Sequence, residues 1–273
     1  MVSGSKGLFA EAARCLSIPE PLEKSKATSR LWQQLQAGGL VFDHQTRVVP
    51  FTDPGRPNTP ELVEPSRVPR RRLGSPQGRA ALVHAIAHIE FNAINLALDA
   101  AIRFRGMPEA YYFDWIRVAA DEARHFEMLE SRLRELDHEY GDFPAHNGLW
   151  EMAGRTSDSC LKRMALVPRV LEARGLDVTP GMIERLRQVG DTETIRILEI
   201  ILEEEVAHVE IGTRWFRHCC DEQGLEPDAT FIELLSEYFT GGLRGPFNLP
   251  ARFQAGFTQQ EMDAISKIQP GKI

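Results

Sequence analysis

The sequence predicts an all-α protein: a four-helix bundle with an extended N-terminal arm and extra C-terminal helices. Three observations carry this. Long stretches repeat apolar residues at helical spacing. Two of these stretches hold a Glu-x-x-His, at Glu122-Ala123-Arg124-His125 and Glu205-Val206-Ala207-His208. Two others each offer a Glu at a matching interval: Glu122 follows Glu90 by 32 residues, and Glu205 follows Glu172 by 33. Residues i and i+3 share a helical face, so each Glu-x-x-His points an oxygen and a nitrogen at one ion. Two such pairs plus one Glu from each of two more helices make a carboxylate-bridged dimetal site, a known ligand pattern of metal-binding bundles.

At 273 residues the chain has ample length to bury a core. Its 42% hydrophobic and 26% charged content matches a soluble globular protein. A net charge of -7 gives no general attraction to nucleic acid or to an anionic membrane. Cys15, Cys160, Cys219 and Cys220 form no Cys-x-x-Cys pair, so neither a disulfide framework nor a zinc site is suggested. No signal peptide or membrane-spanning run is found. The expectation is a reduced, cytoplasmic protein with no membrane partner.

Three regions are expected: residues 1–78 as N-terminal helices and a wrapping arm, 79–220 as the bundle, and 221–273 as a helical extension packed on it. Short helices are predicted over 7–16 and 22–35, with Leu31, Trp32 and Leu35 on one stripe. Prolines at 50, 54, 57, 60, 65, 69 and 76 exclude a long helix or central strand from 40–78. The apolar Val41, Phe42, Val48, Val49, Phe51, Leu62 and Val63 are expected to dock that arm on the main domain. Arg67, Arg70, Arg71, Arg72 and Arg79 form the one dense positive patch. It reads either as a solvated stretch that pairs with the acidic bundle or as a rim that binds phosphate or RNA backbone.

The first long helix is predicted over 79–104. At ~100° per residue, Glu90 shares its face with Val83, Ile86, Ala87, Ala93, Ile94, Ala97 and Ala101. A carboxylate on an apolar, alanine-rich stripe is costly unless paired or bound to metal. His88 points the opposite way and is not counted as a ligand; His84 and His88 are expected against the arm or a neighbouring element. The second long helix, 108–136, puts Asp114, Asp121 and Glu122 on the face of His125, together with Tyr111, Trp115, Val118, Met128 and Leu129.

A Gly/Pro-bearing crossover is expected over 141–154, then a third helix over 157–173, kinked by Pro168. Glu172 sits near its end, just before Gly175, and Glu184 or Asp177 are alternatives for its role. A loop over 176–180 and a short helix over 181–189 follow. The fourth long helix, 192–220, turns Glu204, Glu205 and His208 inward with Ile201, Ile211 and Trp215, and leaves Glu203 and Glu210 outside. Beyond it come a helix over 229–238, a Gly/Pro turn over 241–246, a docked segment over 247–252 and a terminal helix over 259–268. No chemistry is read in these last residues.

Through His88-Ile89-Glu90, Asp114-Trp115, Asp121-Glu122-Ala123-Arg124-His125, residues 163–180 and Glu205-Val206-Ala207-His208, the chain resembles the ferritin-like superfamily. It is similar to a bacterial family of uncharacterised ferritin-like proteins labelled DUF455. Asp-Glu-Ala-Arg-His is also similar to the Asp-Glu-x-Arg-His motif of diiron monooxygenases. That resemblance implies that Asp121 and Glu204 each orient a metal-bound histidine, with Arg124 beside them; Glu204 departs from the usual Asp.

Mixed carboxylate and imidazole ligands suit iron or manganese. The expected cofactor is two iron ions, with manganese or a mixed Mn/Fe pair as alternatives, held by Glu90, Glu122, His125, Glu172, Glu205 and His208. Three functions follow from the resemblance. One is a dioxygen-activating oxidase or hydroxylase, a tRNA-modifying enzyme being one subtype. Another is a ferroxidase or peroxide-handling protein. The third is a metal-binding scaffold without catalysis. The implied partners are dioxygen or peroxide, a small-molecule or RNA substrate and an electron donor; homo-oligomerisation stays open.

Overall fold

Ser75 starts the helix that organises the first half of the chain. Its hydroxyl accepts from the Gly78 N–H at 3.1 Å, Pro76 stands at the first helical position, and Pro76–Arg103 run on without a break. The computed structural model describes residues 6–46, 51–68, 72–239 and 243–267, and groups the chain into two units, 1–154 and 155–273. Both units are helical, with a two-residue parallel ladder as the sheet among the described residues.

In chain order the first unit holds β1 (Lys6–Gly7), α1 (Leu8–Ser17), α2 (Pro21–Gln36), β2 (Leu40–Val41), α3 (Pro76–Arg103), α4 (Glu109–Glu135) and α5 (Gly148–Arg155), whose last residue crosses the boundary. β1 and β2 pair in parallel, Lys6 opposite Leu40. The short link after Phe104 brings α3 and α4 alongside each other, α1 packs on α3 and α2 on α4. Their shared core is Leu8, Phe9, Leu31, Leu35, Ile94, Leu98, Tyr111, Trp115, Phe126 and Leu129. By length and composition α3 could cross a membrane, but 78% of its most apolar window is buried, as expected for a core helix.

The arm docks only in part as expected. Phe42 packs on α4, its ring centre 5.7 Å from that of Phe113 and 6.0 Å from that of Tyr112. Val41, however, is 45% exposed and Phe51, Leu62 and Val63 are only half-buried, whereas Pro54 and Pro60 are buried. Further along, backbone groups make the attachment: the Val63 N–H donates to Ala145 O at 2.8 Å, and Arg103 Nη2 donates to Phe51 O at 2.9 Å. A strand-like bridge needs no apolar side chain, so the hydrophobic count overstates how far these residues bury. The buried Lys24 ties the pieces together, donating to Leu16 O at 3.0 Å, to Gly55 O at 2.5 Å and to Asn95 Oδ1. Gly55 must be glycine there, because a Cβ would lie 2.2 Å from Ser17 O. Val48, Val49, Pro50, Pro69, Arg70 and Arg71 lie outside the described residues.

The second unit holds α6 (Cys160–Leu166), a π-helical turn (Val167–Glu172), α7 (Ala173–Gln188), α8 (Thr192–Gln223), α9 (Pro227–Tyr238), α10 (Leu249–Gln254) and α11 (Gln259–Lys267). Three expectations are corrected. The crossover over 141–154 contains a helix, α5, held by Trp150 Nε1 donating to Thr52 O at 2.9 Å. The third helix does not end after Glu172: it widens into the π turn at Pro168 and continues. The segment 176–180 is helix, not loop, with Pro180 inside α7. Proline frees the carbonyl four residues back, and Leu176 O instead accepts from Asn248 Nδ2 at 3.1 Å. A distant side chain thereby lets the helix pass through the proline. Of the Gly/Pro turn over 241–246, residues 241 and 242 lie outside the described residues, as does 268 at the end of the terminal helix.

Candidate metal centre

In the first unit, Glu90 comes from the middle of α3, and Glu122 and His125 from successive turns of α4. All three are buried, Glu122 and His125 completely. Their ligand-type atoms lie within 4.8 Å of one another. His125 Nδ1 is 3.2 Å from Glu122 Oε2 and 3.4 Å from Glu90 Oε2. One ring nitrogen therefore faces two carboxylates.

This cluster is unfavourable without a cation. Burial, reinforced by the neighbouring Glu122 carboxylate, pushes the Glu90 carboxyl well above the usual range, while its hydrogen bond with His125 opposes the shift. Two carboxylates cannot both stay ionised in a dry site unless positive charge joins them. The nitrogen and two oxygens converge on the place where a metal ion would supply that charge, so the donor set fits an ion. Small neighbours on the same stripe, Ala87, Ala93 and Ala97, keep α3 slim beside Glu90.

The second unit carries the other half of the expected set. On α8 Glu205 and His208 are buried, with His208 Nδ1 3.4 Å from Glu205 Oε1. Glu203 and Glu210 are exposed, as the helical wheel predicts, while Glu204, expected inward, is only half-buried. Glu172 is buried as the last residue of the π turn, a rare geometry that recurs at functional sites. It lies inside a continuing helix and not at a helix end. Neither alternative for it survives: Asp177 accepts from Arg252 Nε and Nη2 at 2.9 and 2.7 Å and from Asn248 N at 3.0 Å, and Glu184 is exposed beside Arg187.

Several neighbours hold that turn in place. Pro168 packs against α8 at Gly212, where a Cβ would lie 2.4 Å from Pro168 Cγ. Arg169, fully buried, donates twice from Nη2 to Glu261 at 2.7 Å and from Nε to Thr213 Oγ1 at 3.1 Å. Its guanidinium lies 4.1–4.8 Å from the ring centres of Phe231, Phe257 and Phe216. Sequence reasoning misses Arg252 and Glu261, since it reads no chemistry in the last residues, and with Glu261 it misses the role of Arg169. The one local signal, for Glu261, is Thr258-x-x-Glu261, a capping box at the start of α11.

The remaining polar residues fall as follows. Asp121 is half-buried and forms long ion pairs with Arg117 and Arg124, at 3.7 and 3.8 Å. His84 accepts from Gly141 N at 2.9 Å, and His88 bonds Tyr140 and His146 at 2.8 and 3.1 Å; both sit against a neighbouring segment, as the wheel predicts.

Comparison with known proteins gives a family without a function. Residues 17–263 match the family described as "Protein of unknown function (DUF455)". An "uncharacterized protein" of Haemophilus influenzae is 44% identical over 264 residues, covering 93% of this chain and 92% of that protein. No solved structure matches the chain.

Proposed function

The chain belongs to the DUF455 family, and from that premise and its two acidic half-sites we propose a ferritin-like dimetal-carboxylate oxidoreductase of the cytoplasm. In this reading Glu90, Glu122, His125, Glu172, Glu205 and His208 together hold two metal ions, iron or a manganese-containing pair, and dioxygen is activated to oxidise or hydroxylate a substrate. The observation that carries the reading is the buried convergence of Glu90, Glu122 and His125. The matching Glu and Glu-x-x-His intervals support it from the sequence side.

When bound, such ions supply the redox electrons that dioxygen requires, which side chains alone do not. The residues do the rest. Glu90 and Glu122 would balance the charge of the ions from buried positions, and His125 and His208 would add nitrogen donors. Asp121 and Glu204, with Arg124, orient the imidazoles, a role such outer partners commonly fill. The π turn sets the direction of Glu172. The substrate is a small molecule or an RNA, the arginines of residues 67–79 being the group that would meet an RNA backbone.

Metal analysis of the purified protein and of Glu122→Ala and His208→Ala tests the site. Loss of most bound metal in each variant is expected; unchanged content in both rejects the reading. Oxygen uptake by anaerobically Fe(II)-loaded protein then tests the reaction. Uptake stimulated by tRNA or by a metabolite extract supports a hydroxylase. Uptake that tracks excess Fe(II) alone identifies a ferroxidase, and none at all identifies a scaffold.

A further inference from the structure

The face of α3 turned away from Glu90 carries His88, Asn92 and Asn95, at positions i, i+4 and i+7. Across from this stripe the arm runs through residues 54–62, and between the two lies a cleft of ≈ 420 Å³, within the range of small-molecule sites. Everything lining it belongs to the first unit.

The lining has a definite chemistry. The α3 wall is polar: Asn92 Nδ2 donates to His88 O at 2.8 Å, Asn95 Nδ2 donates to Phe91 O at 3.0 Å, and His88 is occupied by Tyr140 and His146. Phe91 and the buried Pro54 and Pro60 give the cleft an apolar floor. On the arm stand one cation and one anion, Arg56 and Glu61, both exposed. Arg56 makes long contacts, 3.8 Å to Asp53 and 3.4 Å to Asn147 Oδ1. Glu61 forms no ion pair among the described residues.

We propose that this cleft binds a free α-amino acid with an apolar or aromatic side chain. The carboxylate meets the Arg56 fork, whose parallel N–H donors match it. The ammonium meets Glu61, with the Asn92 amide on the wall of the same cleft, and the side chain lies over Phe91 and the prolines. A single arginine opposed by a glutamate does not suit a phosphate ester or a dianion, which would meet a carboxylate with too little compensating charge. The wall amides and His88 already have partners, so the two charges on the arm decide the class: a plain hydrophobe would shield Arg56 and Glu61 from water and offer neither a counter-charge. A zwitterion offers one to each. This inference is independent of the metal reading.

Calorimetric titration of the full-length protein with phenylalanine and leucine is the test, alongside 2-phenylethylamine, which lacks the carboxylate, and 3-phenylpropionate, which lacks the ammonium. Phenylalanine or leucine binding is expected to be about tenfold or more tighter than either truncated analogue, because each lacks one charge-assisted contact. Arg56→Ala and Glu61→Gln should each weaken amino-acid binding by a similar factor. Both positions are exposed, so the variants should fold, and unchanged bound metal in them would separate this cleft from the metal centre. Absence of heat with both amino acids overturns the proposal. So does 3-phenylpropionate or 2-phenylethylamine binding as tightly as phenylalanine, or binding that neither variant alters.

Discussion

Glu261→Ala should destabilise the second unit severely, although Glu261 lies in the last helix and far along the chain from every proposed ligand. The carboxylate is the counter-charge of Arg169, both are almost wholly buried, and two contacts of 2.7 Å join them. Removing one partner of such a pair leaves an uncompensated buried charge and costs about 3–5 kcal/mol. The same substitution removes the acceptor for Thr258 N, a capping contact of 2.9 Å worth about 1 kcal/mol more. A loss of this size lowers the melting temperature by on the order of 10 °C or more. Thr213 and the three phenylalanine rings cannot offset it, because they offer the guanidinium no net negative charge. Differential scanning calorimetry of wild type, Glu261→Ala and Glu261→Gln gives the readout; Gln keeps much of the shape and should fall between the other two. The double variant Arg169→Met, Glu261→Leu removes both charges and should recover much of the loss. If Glu261→Ala melts within about 2 °C of wild type, the clamp on the π turn is not what holds the second unit together.

Other consequences can be measured in parallel. Gly212→Ala forces a Cβ to within 2.4 Å of Pro168 Cγ, so about 1–3 kcal/mol should be lost in denaturant unfolding, with reduced metal content if the π turn shifts Glu172. Burial draws the Lys24 ammonium down from its ordinary value of 10.5 to about 7. Between those values the unfolded chain holds a proton that the folded one has released, so stability should rise with pH across this window by up to about 1.4 kcal/mol per pH unit. Lys24→Met should lack that component, and equal slopes for the two proteins in urea titrations between the two values would reject it. Asp177→Asn leaves the buried Arg252 facing a neutral amide and should cost a few kcal/mol. A null result in the same urea series would show that the Asp177–Arg252 pair contributes nothing to stability.

The helices are legible in the sequence because their signals are local. The periodic apolar residues of α3, α4 and α8 mark their faces within a few neighbours, while the expected starts at 79 and 22 fall just past the observed ones, where Ser75 caps the helix from Pro76 and Glu20 the helix from Pro21. Glu90, Glu122, His125, Glu205 and His208 stand out for the same reason: a buried acid on an apolar stripe shows in the wheel before any packing is known. The arm is legible as irregular but not as docked through its backbone, since backbone hydrogen bonds leave little trace in composition.

What the sequence determined alone was therefore the all-α class and the intervals that set each Glu-x-x-His against an isolated Glu. Tertiary structure decided the course of the chain from Val167 to Gln188. Pro168 and Pro180 read as a kink and a loop, yet the chain stays helical through both, because Gly212 leaves room for one ring and Asn248 satisfies the carbonyl freed by the other. It also decided that Asp177 serves Arg252, which excludes it as a ligand, and that Glu261 holds Arg169, partners 75 and 92 residues apart. Pairings over such distances depend on where whole helices pack, and no short stretch of sequence encodes that.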